Sequence, residues 1–390
     1  MNDYVLLTGA TGLLGRYLLR DLALADVSVA ALVRGSRRAN PQQRIESIMR
    51  MWEQELGRSL PRPVVLEGNL CDPMMGLDED DLAWVRDNCD SLLHNAASLA
   101  FVSANGRDSE PWRSNVGGMR NALDVCERTG IRDFHHISTA YVCGLRSGTI
   151  LEDELDVGQE FGNDYERSKI EAEKLVRSAG FLAPPTVYRP AIIVGDSETG
   201  FTTTFHGFYA LLKLVHTLIK CDASVANQMK DAKERAPTRL TLTGEELKNL
   251  VPVNWVSAVI TAIYCNREHH GQTFHLTQPQ PVTIRLLQDV MEDTIDYRNT
   301  VFCGPIPLTN PTVVEQLFYE HSKTYASYWR DEPTFDTSHT RAAVPHLPCP
   351  KVDRSLLLML ANWAIENEFR FKDAPIPEFS ETRLDVAAAN

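Results

Sequence analysis

The chain has 390 residues, 43% hydrophobic and 23% charged, which is ordinary for a soluble globular protein. At about 150 residues per domain, that length suits one large α/β unit with an appended part. The net charge of -13 argues against non-specific nucleic-acid binding. The longest apolar stretches, Phe208 to Ile219 and Leu356 to Ile365, fall short of the roughly 20 residues a membrane span needs, so no transmembrane segment is expected.

Met1 runs almost directly into a strand, so no signal peptide is expected, and eight cysteines without a CxxC pair fit reduced thiols in a cytoplasmic protein. Strand-like runs are read at Tyr4–Thr8, Val27–Val33, Val64–Glu67, Ser91–His94, Phe134–Ser138 and Thr186–Val194. Helical patterns lie between them, near 13–25, 42–57, 78–88, 112–129 and 164–179. This alternation predicts an α/β fold with a doubly wound parallel sheet of Rossmann type and helices on both faces. Past Gly195 the pattern changes. Phe201 to Ile219 reads as an aromatic-aliphatic helix, 222–240 as a charged connection, and Val251 to Cys265 and Thr273 to Thr277 as core again. The expected organisation is a nucleotide domain over 1–195, completed by about 251–282. A mostly helical substrate cap comes from 196–250 and 283–375, with a loose tail over 376–390.

The first strand leads into Thr8-Gly9-Ala10-Thr11-Gly12-Leu13-Leu14-Gly15 and then a helix. A strand, a glycine turn and a helix N-terminus make an anion-binding device, because amides and the helix dipole point at phosphate where Gly lets the backbone approach. The GxxGxxG spacing alone is a weak signal, and a turn that only packs helix on strand is the lesser alternative. The second strand ends Leu32-Val33-Arg34, with no acidic residue to hold a ribose 2′-hydroxyl. Arg34, helped by Arg37 or Arg38, suits a 2′-phosphate, whose geometry matches guanidinium.

Tyr165-Glu166-Arg167-Ser168-Lys169 sets a phenol and an ammonium four apart on one helix face. An ammonium near a tyrosine is expected to lower its pKa from about 10 and make it a usable acid/base. Upstream, Ser138 and Thr139 end a strand at the edge where open α/β sheets bind ligands. The pairs His135-His136 and His269-His270 show no metal spacing, and neighbouring strand residues point to opposite faces, so no metal is expected.

TGATGLLG, His94-Asn95-Ala96-Ala97, ISTAYVCG over 137–144 and YERSK, in that order, resemble an extended short-chain dehydrogenase/reductase over roughly residues 4–280. Arg34 points to NADPH, and the resemblance implies a nicotinamide cofactor held by Gly9, Thr11, Gly12, Leu13 and Gly15 of the turn, Arg34, and Asn95, Ala96 and Ala97. Thr139, Tyr165 and Lys169 match the catalytic set. Asn115, in SNVGG, matches the asparagine of the proton relay. Pro190 and the backbone through Ile192 match the strand that flanks the nicotinamide. Where the family usually carries an aspartate after the third strand, this chain has Gly68-Asn69-Leu70, and altered adenine contacts are expected there. LVRG, the insertion Pro41 to Arg58, EGNLCDPMMGLDEDDLAW and the late core VPVNWVSAVITAI are similar to the thioester-reductase and fatty acyl-CoA reductase branch.

That branch implies reduction of an acyl thioester, coenzyme A- or carrier-bound, or of its aldehyde. Expected substrate contacts are Ser98, Thr139, Ala140, Tyr141, His206 and Tyr209. The aromatic helix reads equally as a pocket wall or as plain core. Lys230, Lys233, Arg235 and Arg239 fit either phosphate attraction or a solvated loop. A homodimer is compatible with the reading. A ketone or alcohol dehydrogenase and a sugar-nucleotide epimerase share much of the framework, and a non-catalytic NADP-binding sensor is the alternative outside enzymes.

Overall fold

The computed structural model describes residues 4–101, 104–221 and 237–371. The expected tail and the cations Lys230, Lys233 and Arg235 lie outside them.

Its centre is a seven-stranded parallel sheet. In chain order the elements are β1 (Tyr4–Thr8), α1 (Leu13–Leu24), β2 (Ser28–Val33), α2 (Pro41–Leu56), β3 (Val64–Glu67), α3 (Glu79–Asn88), β4 (Cys89–His94), α4 (Gly118–Thr129) and β5 (Asp133–Ile137). A two-residue β6 (Thr149–Ile150), α5 (Asp164–Ser178) and β7 (Thr186–Pro190) follow. The strand Thr273–Leu276 pairs with β7 at one edge, and the order runs from it through β7, β5, β4, β1 and β2 to β3.

Period-two alternation along these strands separates two helical layers. Val5, Leu7, Val29, Ala31 and Val33 face α1, α2 and the helix Val253–Tyr264. Leu6, Ala30, Leu32 and Leu92 face the opposite way, onto α3, α4 and α5. A third core joins Tyr209 and Leu212 of α6 (Phe208–Cys221) to Val290 of Ile284–Ile295 and to Leu357 and Leu360 of Arg354–Glu366. Among the described residues no helix is long and apolar enough to cross a membrane.

Two departures from the sequence reading shape the site. The run Thr186–Val194 is broken at Pro190–Ala191: β7 stays in the main sheet, whereas β8 (Ile192–Val194) pairs with Leu250–Pro252. Pro190 has no N–H to continue a ladder, and Ile192 N donates instead to the Asn249 carbonyl. The chain therefore bends away from the sheet where a ligand would lie. The helical pattern over 112–129 opens as a π-turn, Arg113–Gly117, before α4 begins.

Candidate active site

A cavity of about 700 Å³ lies over the carboxyl ends of the strands, where open α/β sheets bind ligands. One end is the glycine turn. Gly9 has φ +72°, and a Cβ there would meet Ala96 N at 2.7 Å; one on Gly15 would meet the Gly9 carbonyl oxygen at 2.1 Å. Asn95 Nδ2 donates to the Gly9 carbonyl, and the Thr8 hydroxyl accepts from both Asn95 N and Ala96 N, which ties β1 to β4. Gly12 caps α1 without a side chain, so the first amides of the helix keep no side-chain acceptor. Thr11, Gly12, Leu13, Arg34, Asn69, Leu70, Asn95, Ala96 and Ala97 all line this end.

Gly15 does not line the cavity. Its role is close packing of α1 on the turn, which its missing Cβ permits. The Asn69 side chain is engaged within its own loop, donating to Asp72 and accepting from Cys71 N. Arg44 is a residue that sequence reasoning missed. From the first turn of α2 its guanidinium donates to the Arg34 carbonyl and, at 3.0 Å, to the Thr11 hydroxyl, and it lines the cavity beside Arg34. An arginine one turn into the helix that follows LVRG was the available signal.

Midway along the cavity stand Thr139, Tyr165, Lys169 and Pro190. Thr139 ends the segment after β5, and its hydroxyl donates to the Pro190 carbonyl (3.4 Å) and accepts from Tyr141 N (3.3 Å). The Tyr165 phenol is hydrogen-bonded to Thr139. Lys169, one turn along α5 and only 3% exposed, donates from Nζ to the Ile137 carbonyl at 2.7 Å. Burial pushes the Tyr165 phenol up to about 12, partly offset by the Thr139 hydrogen bond. The expectation that Lys169 lowers it is therefore corrected: burial sets the direction, aided by the Glu166 charge, and the Lys169 ammonium is itself pulled down to about 8 by burial. At neutral pH Tyr165 is a protonated donor and Lys169 a cation. Behind them the Ser138 hydroxyl donates to Glu173 at 2.7 Å. Burial opposes ionisation of Glu173, but Arg189, 2.6 Å away, holds it down to about 2.

Asn115 and Ser98 are displaced from their expected roles. Neither lines the cavity. The Asn115 carboxamide accepts from Ser98 N (2.7 Å) and donates to the Ser98 carbonyl and the Ser168 hydroxyl (2.9 Å), so it joins the post-β4 loop to α5. Both Nδ2 hydrogens and one lone pair of Oδ1 are committed to that junction. Ala140 also points away, packed with Cys143, Ile150 and Phe335.

Beyond Thr139, Tyr165 and Lys169 the cavity is largely apolar, walled by Phe208, Leu211 and Val215 of α6 and by Leu287, Phe318 and Trp329. His206 is at its exposed rim, and Tyr209 reaches it while its hydroxyl accepts from Gly195 N. Tyr141 is on the wall too, its hydroxyl donating to Glu332, which pairs with Lys248 at 3.3 Å. This buried pair, drawn from 248 and 332, carried no sequence signal.

A family model described as male sterility protein, of the NAD-binding kind, matches residues 7–260. A linear gramicidin synthase from Brevibacillus parabrevis is 29% identical over 202 residues, 50% of this chain and 4% of that one. The L-2-aminoadipate reductase large subunit of Eremothecium gossypii is 29% identical over 219 residues, 50% of this chain and 16% of its own. The chain thus spans a small part of these curated relatives. In structure it is similar to the terminal R domain from the myxalamid PKS-NRPS biosynthetic pathway, with TM-score 0.72, 26% identity, and 96% and 92% of the two chains covered.

Proposed function

The chain belongs to the male sterility protein family, of the extended short-chain dehydrogenase/reductase type and its thioester-reductase branch, and from that premise we propose that it reduces a carrier- or coenzyme A-bound acyl thioester with NADPH. The observation that carries this reading is the meeting of Thr139, Tyr165 and Lys169 on the cavity wall between the glycine turn and the apolar chamber. The turn fits a dinucleotide because the uncapped α1 amides suit a diphosphate, while the bare Cα atoms of Gly9 and Gly15 let the turn pack tightly against Ala96 and α1. Arg34 and Arg44 supply cationic donors for a 2′-phosphate.

When bound, the nicotinamide supplies a hydride to the substrate carbonyl carbon. The chain does the rest. Thr139 and Tyr165 hydrogen-bond the carbonyl oxygen, and Tyr165, held protonated by burial, delivers the proton as charge develops. Lys169, buried and anchored on the Ile137 carbonyl, would hold the cofactor's ribose with its ammonium. The substrate's tetrahedral adduct then collapses to thiol and aldehyde, and a second reduction gives the alcohol. The apolar walls of α6 and Phe318 seat the acyl chain and exclude water.

The test is a panel of acyl thioesters, free aldehydes, ketones and nucleotide sugars followed by NADPH absorbance and free thiol. Thioester-dependent NADPH loss with thiol release is expected. Activity confined to ketones, or interconversion of nucleotide sugars with the cofactor returned unchanged, would refute it.

A further inference from the structure

At the end of the sheet opposite the catalytic edge, the fold assembles a group that sequence spacing concealed. Asp133 and His135 open β5, and His270 arrives 135 residues later from the turn before the edge strand. His135 is fully buried. Its Nδ1 lies 3.0 Å from the Tyr188 hydroxyl, and its Nε2 stands 3.3 Å from Asp133 Oδ1 without making a hydrogen bond of acceptable geometry. His270 Nε2 is 3.0 Å from the Tyr264 carbonyl and its Nδ1 is 3.1 Å from Asp133 Oδ2.

The chemistry follows from which atoms can donate. A carbonyl oxygen only accepts, so His270 Nε2 carries the hydrogen facing Tyr264. In the neutral ring the Nδ1 lone pair then points at a carboxylate oxygen. Two acceptors this close require a cation between them, a proton or a metal ion. One ligand atom from each of Asp133, His135 and His270 lies within 4.8 Å of the others. The outer partners, a backbone carbonyl on one imidazole and a phenol on the other, are of the kind that fix tautomer and ring orientation in metal sites. Two imidazoles and one carboxylate with a fourth position open suit zinc-class ions. A second cavity of about 540 Å³, lined by Asp133 and His270, opens the group to solvent. Three guanidinium groups line that cavity, Arg86, Arg132 and Arg267; Arg86 is paired with Asp87 at 2.9 Å and Arg267 with Asp90 at 2.7 Å.

We propose that Asp133, His135 and His270 bind one divalent transition-metal ion of the zinc class, which ties the start of β5 to the turn entering the edge strand. The ion is a staple across β7, remote from Thr139 and Tyr165. The proposal departs from the expectation of no metal, because its two histidines come from different elements, beyond the reach of a spacing argument.

The experiment uses the full chain, stripped with a chelator and titrated with ZnCl2 by calorimetry and CoCl2 by visible absorption. Expected are one ion per chain, a four-coordinate cobalt spectrum and a higher melting temperature with metal. His270→Gln, at a half-buried position, removes a ligand and is expected to weaken binding at least 100-fold. Tyr188→Phe keeps all three ligands and is expected to weaken it about tenfold. Circular dichroism verifies that both variants are folded. No binding by the folded chain, or binding unchanged in His270→Gln, would overturn the proposal.

Discussion

Replacing Lys169 by methionine should stabilise the fold at neutral pH while removing turnover. Lys169 is buried, and its fall from an ordinary 10.5 to about 8 means that the folded chain holds the ammonium at a cost. At about 1.4 kcal/mol for each tenfold change in proton affinity, that cost is roughly 3 kcal/mol below pH 8. Methionine has a similar length and no charge to desolvate. It leaves the Ile137 carbonyl without its donor, which costs about 1 kcal/mol. The net expectation at pH 7 is a gain of about 2 kcal/mol. The sign with pH is fixed by linkage. Between about pH 8 and 10.5 the unfolded chain keeps the proton that the folded chain has released, so this site makes the wild type more stable as pH rises. The variant lacks that term, and its advantage should shrink toward zero by pH 10. Urea unfolding of both proteins at pH 7 and pH 10, compared as a difference so that other titrations cancel, measures this. A variant less stable than wild type at pH 7, or an advantage independent of pH, would refute the reasoning.

Tyr165→Phe should lower the rate of reduction by about 10²- to 10⁴-fold, the usual scale of general acid catalysis, while NADPH binding followed by fluorescence is unchanged. Arg44→Leu removes a guanidinium bridging the Arg34 carbonyl and Thr11, and should weaken NADPH about 10- to 100-fold with little effect on NADH, measured by calorimetry with each cofactor. Gly15→Ala would drive a methyl group into the Gly9 carbonyl and the Ala10 backbone. It should cost about 3 kcal/mol in a thermal or denaturant melt and abolish cofactor binding.

The sheet could be read from the sequence because parallel strands buried on both faces appear as short apolar runs, such as Val5-Leu6-Leu7 and Val29 to Val33, set between glycine or charged turns. The residues brought to one wall, Thr139, Tyr165 and Lys169, were legible because the motifs that carry them, ISTAYVCG and YERSK, follow in the order of the family they resemble. Features set by tertiary approach were not. Arg44 reaches Arg34 only because α2 folds back over the end of β2, and the Tyr141–Glu332–Lys248 network draws on three distant segments. Asn115 shows a different gap: its position was expected in the site, but it lies off the cavity wall, with its carboxamide bonded to Ser98 and Ser168. The Tyr165 shift was misjudged because depth of burial, which sets its direction, has no signature in a YxxxK spacing. Ala140, next to a cavity residue on each side, faces the opposite way because the chain turns through a short 3₁₀ segment after Thr139.

The most direct measurement counts thiol against cofactor. With a limiting acyl thioester and excess NADPH, one thiol should be freed for each acyl group, with one NADPH oxidised if the aldehyde accumulates and two if the alcohol forms. NADPH oxidation without thiol release, or thiol release that proceeds equally in its absence, would contradict hydride transfer to a thioester carbonyl in this cavity.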